Sequence, residues 1–190
     1  MRIAIISDVH GNRCAFDAVL ADLKEAAPDL VLHGGDLAAN GAHSAYVVDQ
    51  IRSLGWRGVL GNTDEMLWRP ERLGEVSRTH PKLAKVVAAF QEMVPATRES
   101  LGEDRLNWLA GLPRAYSDTL LTVVHASPGD LWRAPLPSAS DDEIQSAYEA
   151  LQTKIVVYGH IHRPHVRHLQ NRTVANTGSL SLSYDGDPRT

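Results

Sequence analysis

Cysteine is almost absent: Cys14 stands alone in 190 residues. No intramolecular disulfide can form, and no thiolate cluster for a structural zinc is available. Long hydrophobic runs are missing as well. The N-terminal apolar stretch, Ile3 to Ile6, is interrupted at once by Ser7 and Asp8, too early for the core of a secretory signal. Nothing approaches the length of a membrane span. An excess of positive charge is also lacking. Nineteen basic and 23 acidic residues give a formal net charge of −4, and the two signs are interspersed. A groove for duplex nucleic acid is therefore not expected, although a nucleotide-sized substrate remains compatible. Together these absences describe a protein of a reducing compartment, and the expectation is a cytoplasmic one.

A hydrophobic content of 43% in a chain of this length suits one packed domain covering residues 1–190. Histidine is plentiful, with nine residues. Several follow apolar runs and sit beside Gly, Asp or Asn.

Leading into Asp8, Ile3 to Ile6 reads as a buried strand. Phe16, Val19, Leu20 and Leu23 then fall on one helical face. Leu30 to His33 is the next strand, closed by Gly34-Gly35-Asp36. Val47, Ile51 and Leu54 mark a second helix, and Trp56 to Leu60 a third strand, closed by Gly61-Asn62. This β-α-β-α-β opening implies parallel strands, whose carboxyl ends are where ligands gather. From about 64 to 112 the pattern turns helical, with one face at Leu83, Val86, Val87 and Phe90 and another at Leu106 and Leu109. This reads as an excursion from the core that could lie over a site. Strands return at Leu120 to Val124 and Ile155 to Tyr158. A Pro-rich loop and a Ser140/Glu143 capping box lie between them. His165 to Leu169 and Thr173 to Ala175 read as a hairpin. Gly178 to Asp187 reads as a loop entering a strand, and the expectation is either that a final strand is missing or that the fold closes without it.

Five short motifs stand at the ends of these strands: Asp8-Val-His10, Gly35-Asp36, Gly61-Asn62, His125 and Gly159-His160-Ile161-His162. Each alone is weak, since Gly-Asp and Gly-Asn are ordinary turn pairs. All five at strand ends of one small domain is a different matter. Imidazole, carboxylate and amide oxygen suit Mn, Fe, Zn or Ni. Two such ions roughly 3.5–4 Å apart need a bridging carboxylate to offset their repulsion, and they ionise a shared water near neutral pH.

The set resembles the calcineurin-like metallophosphoesterases, whose pattern is D-x-H, G-D, G-N-[H/D], H and G-H-x-H. Leu112-Pro113, His125-Ala-Ser-Pro128 and Asn176-Thr-Gly-Ser179 are similar too. The resemblance implies an α/β fold, a four-layer α-β-β-α sandwich of two mixed sheets flanked by helices. It implies two divalent ions, Mn first among the candidates, with Asp8, His10 and His162 on one and Asn62, His125 and His160 on the other. Asp36 would bridge them. With the hydroxide between the ions, Asp36, Asn62 and His125 would form the catalytic set. One departure stands out. Many members carry histidine after Gly-Asn, where it assists the leaving group. Thr63 and Asp64 stand here, as in the branch of small prokaryotic phosphodiesterases with Gly-Asn-x-Asp.

Asn12 reads both as the cap of the first helix and as a contact to substrate. Asp64 reads as a helix cap and a second substrate contact. His33, His43, His80, His165 and His168 read as surface or packing residues. Trp68 and Trp132 could stack on a base, although packing is the ordinary role. The expected substrate is a small phosphoester, nucleotide-like in one version, with a diester preferred. The alternatives are a phosphomonoesterase, a protein serine/threonine phosphatase, or a non-catalytic scaffold like the retromer subunit of this fold. The presence of all seven expected ligands speaks against the scaffold. The sequence is compatible with a homo-oligomer.

Overall fold

The computed structural model describes residues 1–79, 81–184 and 186, and of Leu83 the backbone only. His80, the side chain of Leu83 and the end of the 178–187 segment therefore lie outside the described residues.

Two sheets stack face to face. The first has the order β1-β2-β3, built from β1 (Ile3–Ile6), β2 (Leu30–His33) and β3 (Arg57–Gly58). Its strands are parallel throughout, as the β-α-β-α-β opening implies, and the mixed pairing that the family resemblance implies is confined to the second sheet. The second is mixed, with the order β4-β5-β6-β8-β7: β4 (Ala115–Ser117), β5 (Leu121–Val124), β6 (Ile155–Tyr158), β7 (His165–His168) and β8 (Thr173–Asn176). The hairpin read from sequence is the antiparallel pair of β7 and β8. The short edge strand β4 had no sequence signal.

Each apolar cluster corresponds to one interface between layers. Leu32, Val59, Leu121, Val123 and Val157 fill the space between the sheets. Outside the first sheet lie α1 (Arg13–Ala26), α2 (Ser44–Ser53) and α5 (Ala84–Ala110). Phe16, Val47, Val48, Ile51, Leu101, Leu106 and Leu109 pack in that layer. Outside the second lies α6 (Asp141–Ala147), which packs Ile144 and Tyr148 against Val124, Val156 and Val174. Burying this much apolar surface is the main favourable term in the fold. The capping box read at Ser140 and Glu143 starts α6. Among the described residues, no helix is long and apolar enough to cross a membrane.

The helical excursion consists of α3 (Asn62–Trp68), α4 (Glu71–Thr79), a short 3-10 turn and α5. In α5 the backbone leaves helical geometry at Gly102, where φ is 69°. That break separates the two apolar faces read from sequence. Val86 does not belong to the first face: it is 49% exposed, while Val87 is buried. The third strand is shorter than the expected Trp56 to Leu60 run. Gly58 meets His33 backbone to backbone, and a Cβ there would stand 2.1 Å from the His33 carbonyl oxygen. Leu60 then turns to donate to the carbonyl of Pro113, at the start of the second sheet.

His33 is a packing residue of an unusual kind. It is fully buried, and neither ring nitrogen has a hydrogen-bond partner. Burial pushes its pKa down from 6.5 to about 4. The unfolded chain binds a proton through 6.5 that the folded chain refuses until about 4, so this residue costs stability as pH falls across that window. Replacing His33 with Leu removes both the orphaned nitrogens and this penalty. In urea unfolding, the stability of the variant relative to the parent should rise by about 2 kcal/mol between pH 7 and pH 5. An unchanged difference would mean that the ring is solvated or paired in solution.

Candidate metal centre

Parallel pairing does not stop where the strands end. Past β1 and β2, Gly34 donates to Ile6, Asp8 to Gly35, His10 to Asp36 and Gly11 to Leu37, all at 2.8–3.0 Å. The loops carrying Asp8, His10 and Asp36 are thus tied to each other by backbone bonds. In the second sheet, Gly159 donates to the carbonyl of His125 at 2.9 Å, which ties His125 to the His160 loop. Asn176 holds the same loop, donating from Nδ2 to the Gly159 carbonyl at 2.6 Å and accepting from the Gly178 amide at 2.9 Å.

All seven expected ligands converge. Asp8, His10 and His162 place one donor atom each within 4.8 Å of one another, and so do Asp8, Asp36 and His125. Asp36 faces both ways, with Oδ2 3.8 Å from His10 Nε2 and Oδ1 3.5 Å from His125 Nε2. Asn62 Oδ1 lies 2.8 Å from His125 Nε2 and 2.9 Å from His160 Nδ1. Asp8 belongs to both carboxylate groups, a sharing the sequence did not suggest.

Neighbouring carbonyls fix the ring orientations. His10 Nδ1 lies 3.1 Å from Ala39 O, His125 Nδ1 2.8 Å from Gly34 O and His162 Nδ1 2.7 Å from Leu182 O. His160 is reversed, with Nε2 3.2 Å from Trp132 O. A carbonyl only accepts, so these nitrogens carry the protons. The opposite nitrogens then point lone pairs inward. His10 Nε2 and His162 Nε2 stand 3.3 Å apart, and Asp8 Oδ1 is 3.1 Å from the latter. His125 and His160 aim theirs at the same amide oxygen of Asn62. Acceptors facing acceptors repel unless a cation stands among them. A proton serves one pair, whereas a divalent ion serves the whole set, and imidazole, carboxylate and amide donors suit such an ion.

Close packing of glycine completes the cradle. A Cβ at Gly61 would come within 2.0 Å of Asp36 Oδ1, and one at Gly159 within 2.4 Å of Asp8 Oδ2. The residues present therefore fit two metal ions.

Electrostatics follow the same logic. Protons on the rings can stand in part for an ion: burial pushes Asp8 up, but a protonated His162 donating to it and the charges of protonated His125, His162 and His10 outweigh that and hold its pKa at about 2. Burial pushes His125 down, yet Asp36 and Asp8 outweigh that and raise it. His162 is raised against its burial by the bond to Asp8. His160 falls to about 4 through burial and the nearby His125 charge.

Asn12 and Asp64 part company. Asn12 Oδ1 accepts from Ala15 N at 3.1 Å and caps α1, while Nδ2 turns to Ser181 Oγ at 3.4 Å, beside the site. Asp64 is fully buried and is not a substrate contact. Its carboxylate accepts from the amides of Leu37 and Ala38 at 3.0–3.1 Å, bracing the loop after Asp36. Burial, then the Asp36 charge, pushes its pKa up to about 7. Trp68 is half-buried, and Trp132 is half-buried against the first core, so neither is an open stacking surface. Sequence reasoning also missed Ser179, whose hydroxyl donates to the Asp8 carbonyl at 3.0 Å, and Tyr184, whose ring stacks on His162 at 5.3 Å. The Asn176 to Ser179 stretch was the signal for the first of these.

Replacing Asp64 with Leu strands two buried amide donors. It should destabilise the fold by about 2–4 kcal/mol, whereas Asn, which keeps one acceptor, should cost about half as much. Equal midpoints for the two variants in chemical unfolding would deny Asp64 this bracing role.

The whole chain, residues 1–190, matches the family model of the calcineurin-like phosphoesterase superfamily domain. It is 26% identical over 189 residues to the uncharacterized protein MJ0912 of Methanocaldococcus jannaschii, covering 96% of this chain and 71% of that one. It is 24% identical over 185 residues to a probable cyclic nucleotide phosphodiesterase of Synechococcus, covering 88% and 71%. A metallophosphoesterase from Sphaerobacter thermophilus superposes with a TM-score of 0.75 at 26% identity, over 99% of this chain and 80% of that one. The four layers and the converging side chains agree with that match, and the chain belongs to the calcineurin-like phosphoesterase superfamily.

Proposed function

We propose that this protein is a phosphodiesterase acting on a small, nucleotide-like diester with two divalent ions. Asp8, His10 and His162 would hold the first, Asn62, His125 and His160 the second, and Asp36 would bridge them. Mn is the first candidate, with Fe, Zn and Ni allowed by the same donors. The observation that carries this reading is the two sets of inward lone pairs, fixed by four backbone carbonyls, that have no other cation to meet. Bound there, the ions supply an ionised water as nucleophile and positive charge for the phosphoryl oxygens. The name of the Synechococcus relative supports a diester of nucleotide type.

The protein's own groups orient and bind. Asp36, its Oδ1 held by the Thr63 amide at 2.9 Å, fixes the relation between the two halves of the site. The Asn12 amide is placed to donate to a phosphoryl oxygen at the His10 side. After Asn62 no imidazole follows. Thr63 is 3% exposed, and its hydroxyl has no partner among the described residues. Proton donation to the leaving group from this position is therefore missing, an assistance typically worth about 10²–10⁴ in rate. Esters with acidic leaving groups should react far faster than alkyl esters.

A matrix of metals against aryl mono- and diesters, cyclic nucleotides and dinucleotides tests this reading. Turnover is expected on diesters, loaded with Mn most readily, and the rate should fall steeply from nitrophenyl to phenyl leaving groups. A preference for monoesters would favour a phosphomonoesterase. Inactivity with every metal would favour a scaffold.

Asp36→Ala should abolish two-ion occupancy in elemental analysis and lower turnover by at least about 10³. Near-normal turnover with two ions retained would refute the bridging role.

A further inference from the structure

Beside the metal centre lies a cleft of about 320 Å³. It shares His10 with the site and is walled by the start of α1, the 40–43 loop and residues 181–182. No carboxylate lines it. Its polar side chains besides His10 are Asn12, Arg13, Asn40, His43 and Ser181. The larger hollow, about 700 Å³ between the 127–139 loop and α6, contains Glu143 and none of the seven ligand residues.

Arg13 is held in place from behind. Asp17 engages its Nε at 3.2 Å, and its guanidinium sits 4.3 Å over the Tyr46 ring. Asp17 is itself occupied by the Tyr46 hydroxyl at 2.6 Å. Among the described residues, the two terminal nitrogens of Arg13 make no hydrogen bond. His43 opens α2 without using its ring as a cap. Asn40 has a left-handed backbone, with φ at 84°, and its Nδ2 lies 3.4 Å from His10 Nδ1. That nitrogen already donates to Ala39 O, so the Asn40 amide is a spare donor. The wall is rigid: a Cβ at Gly41 would stand 2.0 Å from the His10 carbonyl oxygen. In a chain of net charge −4, one guanidinium and several neutral donors gather at this cleft, and the carboxylate nearest to them, Asp17, stands behind Arg13 rather than in the lining.

We infer that this cleft is a subsite for a second phosphoryl group, carried on the arm of the substrate that points away from the leaving group. Arg13 and Asn40 are its specificity-determining residues. The inference rests on the phosphodiesterase reading and narrows its substrate to diesters with an anionic arm. A phosphate there meets the planar Arg13 fork and amide donors, the chemistry suited to phosphate oxygens.

The test uses two diesters with one leaving group, the p-nitrophenyl ester of thymidine 5′-phosphate with and without a 3′-phosphate. In the metal-loaded protein the 3′-phosphate should lower KM by about tenfold. Arg13→Glu should bring the two KM values together. Asn40→Asp, which suits the left-handed backbone, should do the same if the first variant folds poorly. Equal KM values in the parent protein, or an advantage that survives both variants, would overturn the subsite. Calorimetry with thymidine 3′,5′-bisphosphate on the metal-free protein separates this idea from the catalytic one. Binding that Arg13→Glu abolishes supports the subsite even if bis(p-nitrophenyl) phosphate is never hydrolysed, a result that would sink the phosphodiesterase reading alone. No binding, or binding indifferent to Arg13→Glu, counts against the subsite.

Discussion

Everything at this site depends on holding acceptors against acceptors. Two imidazole nitrogens face each other across Asp8, and two more share one amide oxygen. With neither a proton nor a metal ion among them, such an arrangement does not assemble by attraction between its members. The backbone imposes it. Seven described residues other than glycine have positive φ, and five of them are Asp8, His10, Asp36, His160 and His162. Each left-handed residue of this kind costs on the order of 1–3 kcal/mol. The cost concentrates where the chain leaves its strands, and the backbone ladder from Ile6/Gly34 to Gly11/Leu37 offsets it. The result is a preorganised polar cluster that gains most from a cation.

The seam between the sheets explains why this cluster can exist in so small a fold. Asp8, His10, Asp36 and Asn62 come from the first sheet, and His125, His160 and His162 from the second. The apolar face between them, with Leu32, Val59, Val123 and Val157, sets their spacing. Polar bonds cross at the top of that seam: His125 to Gly34, His162 to Asp8, and Leu60 to Pro113. Sheet stacking and site geometry are thus the same constraint. A change that slides one sheet on the other separates the two halves of the donor set, so packing residues far from any ligand have leverage on the chemistry.

The legible parts of the sequence were those in which a side chain announces its own role. The seven ligands stood out because each follows an apolar strand, and the helices because their faces repeat at 3.6 residues. Backbone roles carried no such mark. The carbonyls of Gly34, Ala39, Trp132 and Leu182 orient the four rings, and a carbonyl belongs to every residue type. The β3 strand is only Arg57 and Gly58, paired with Leu32 and His33, and how far a strand pairs with a distant segment is not encoded in a local pattern. Val86 fitted a helical face by spacing yet is exposed, and the buried face of this half of α5 runs through Val87 and Val94 instead. Asp64 had the polarity of a substrate contact. Its burial beneath the Asp36 loop depends on where α3 packs, against α5, which lies far along the chain.

That short helix also accounts for the departure at Thr63. Residues 62–67 are buried without exception. Asp64 holds the loop after Asp36 on one side. On the other, Glu65 lies among Arg69, Arg72 and Arg114, with Arg114 at 2.7 Å, which anchors the helix to the excursion and to the start of β4. Between them the Thr63 amide donates to Asp36 Oδ1. In this chain the position after Asn62 therefore serves the candidate metal centre through its backbone, which holds Asp36, and its side chain is buried. An imidazole in an exposed loop here would be free to meet a leaving group. One seated in this buried turn would have to displace the contacts that aim Asp36. Holding the Asp36 carboxylate and donating a proton are competing uses of the same three residues, and the burial of Thr63 with Asp64 resolves the competition in favour of the carboxylate.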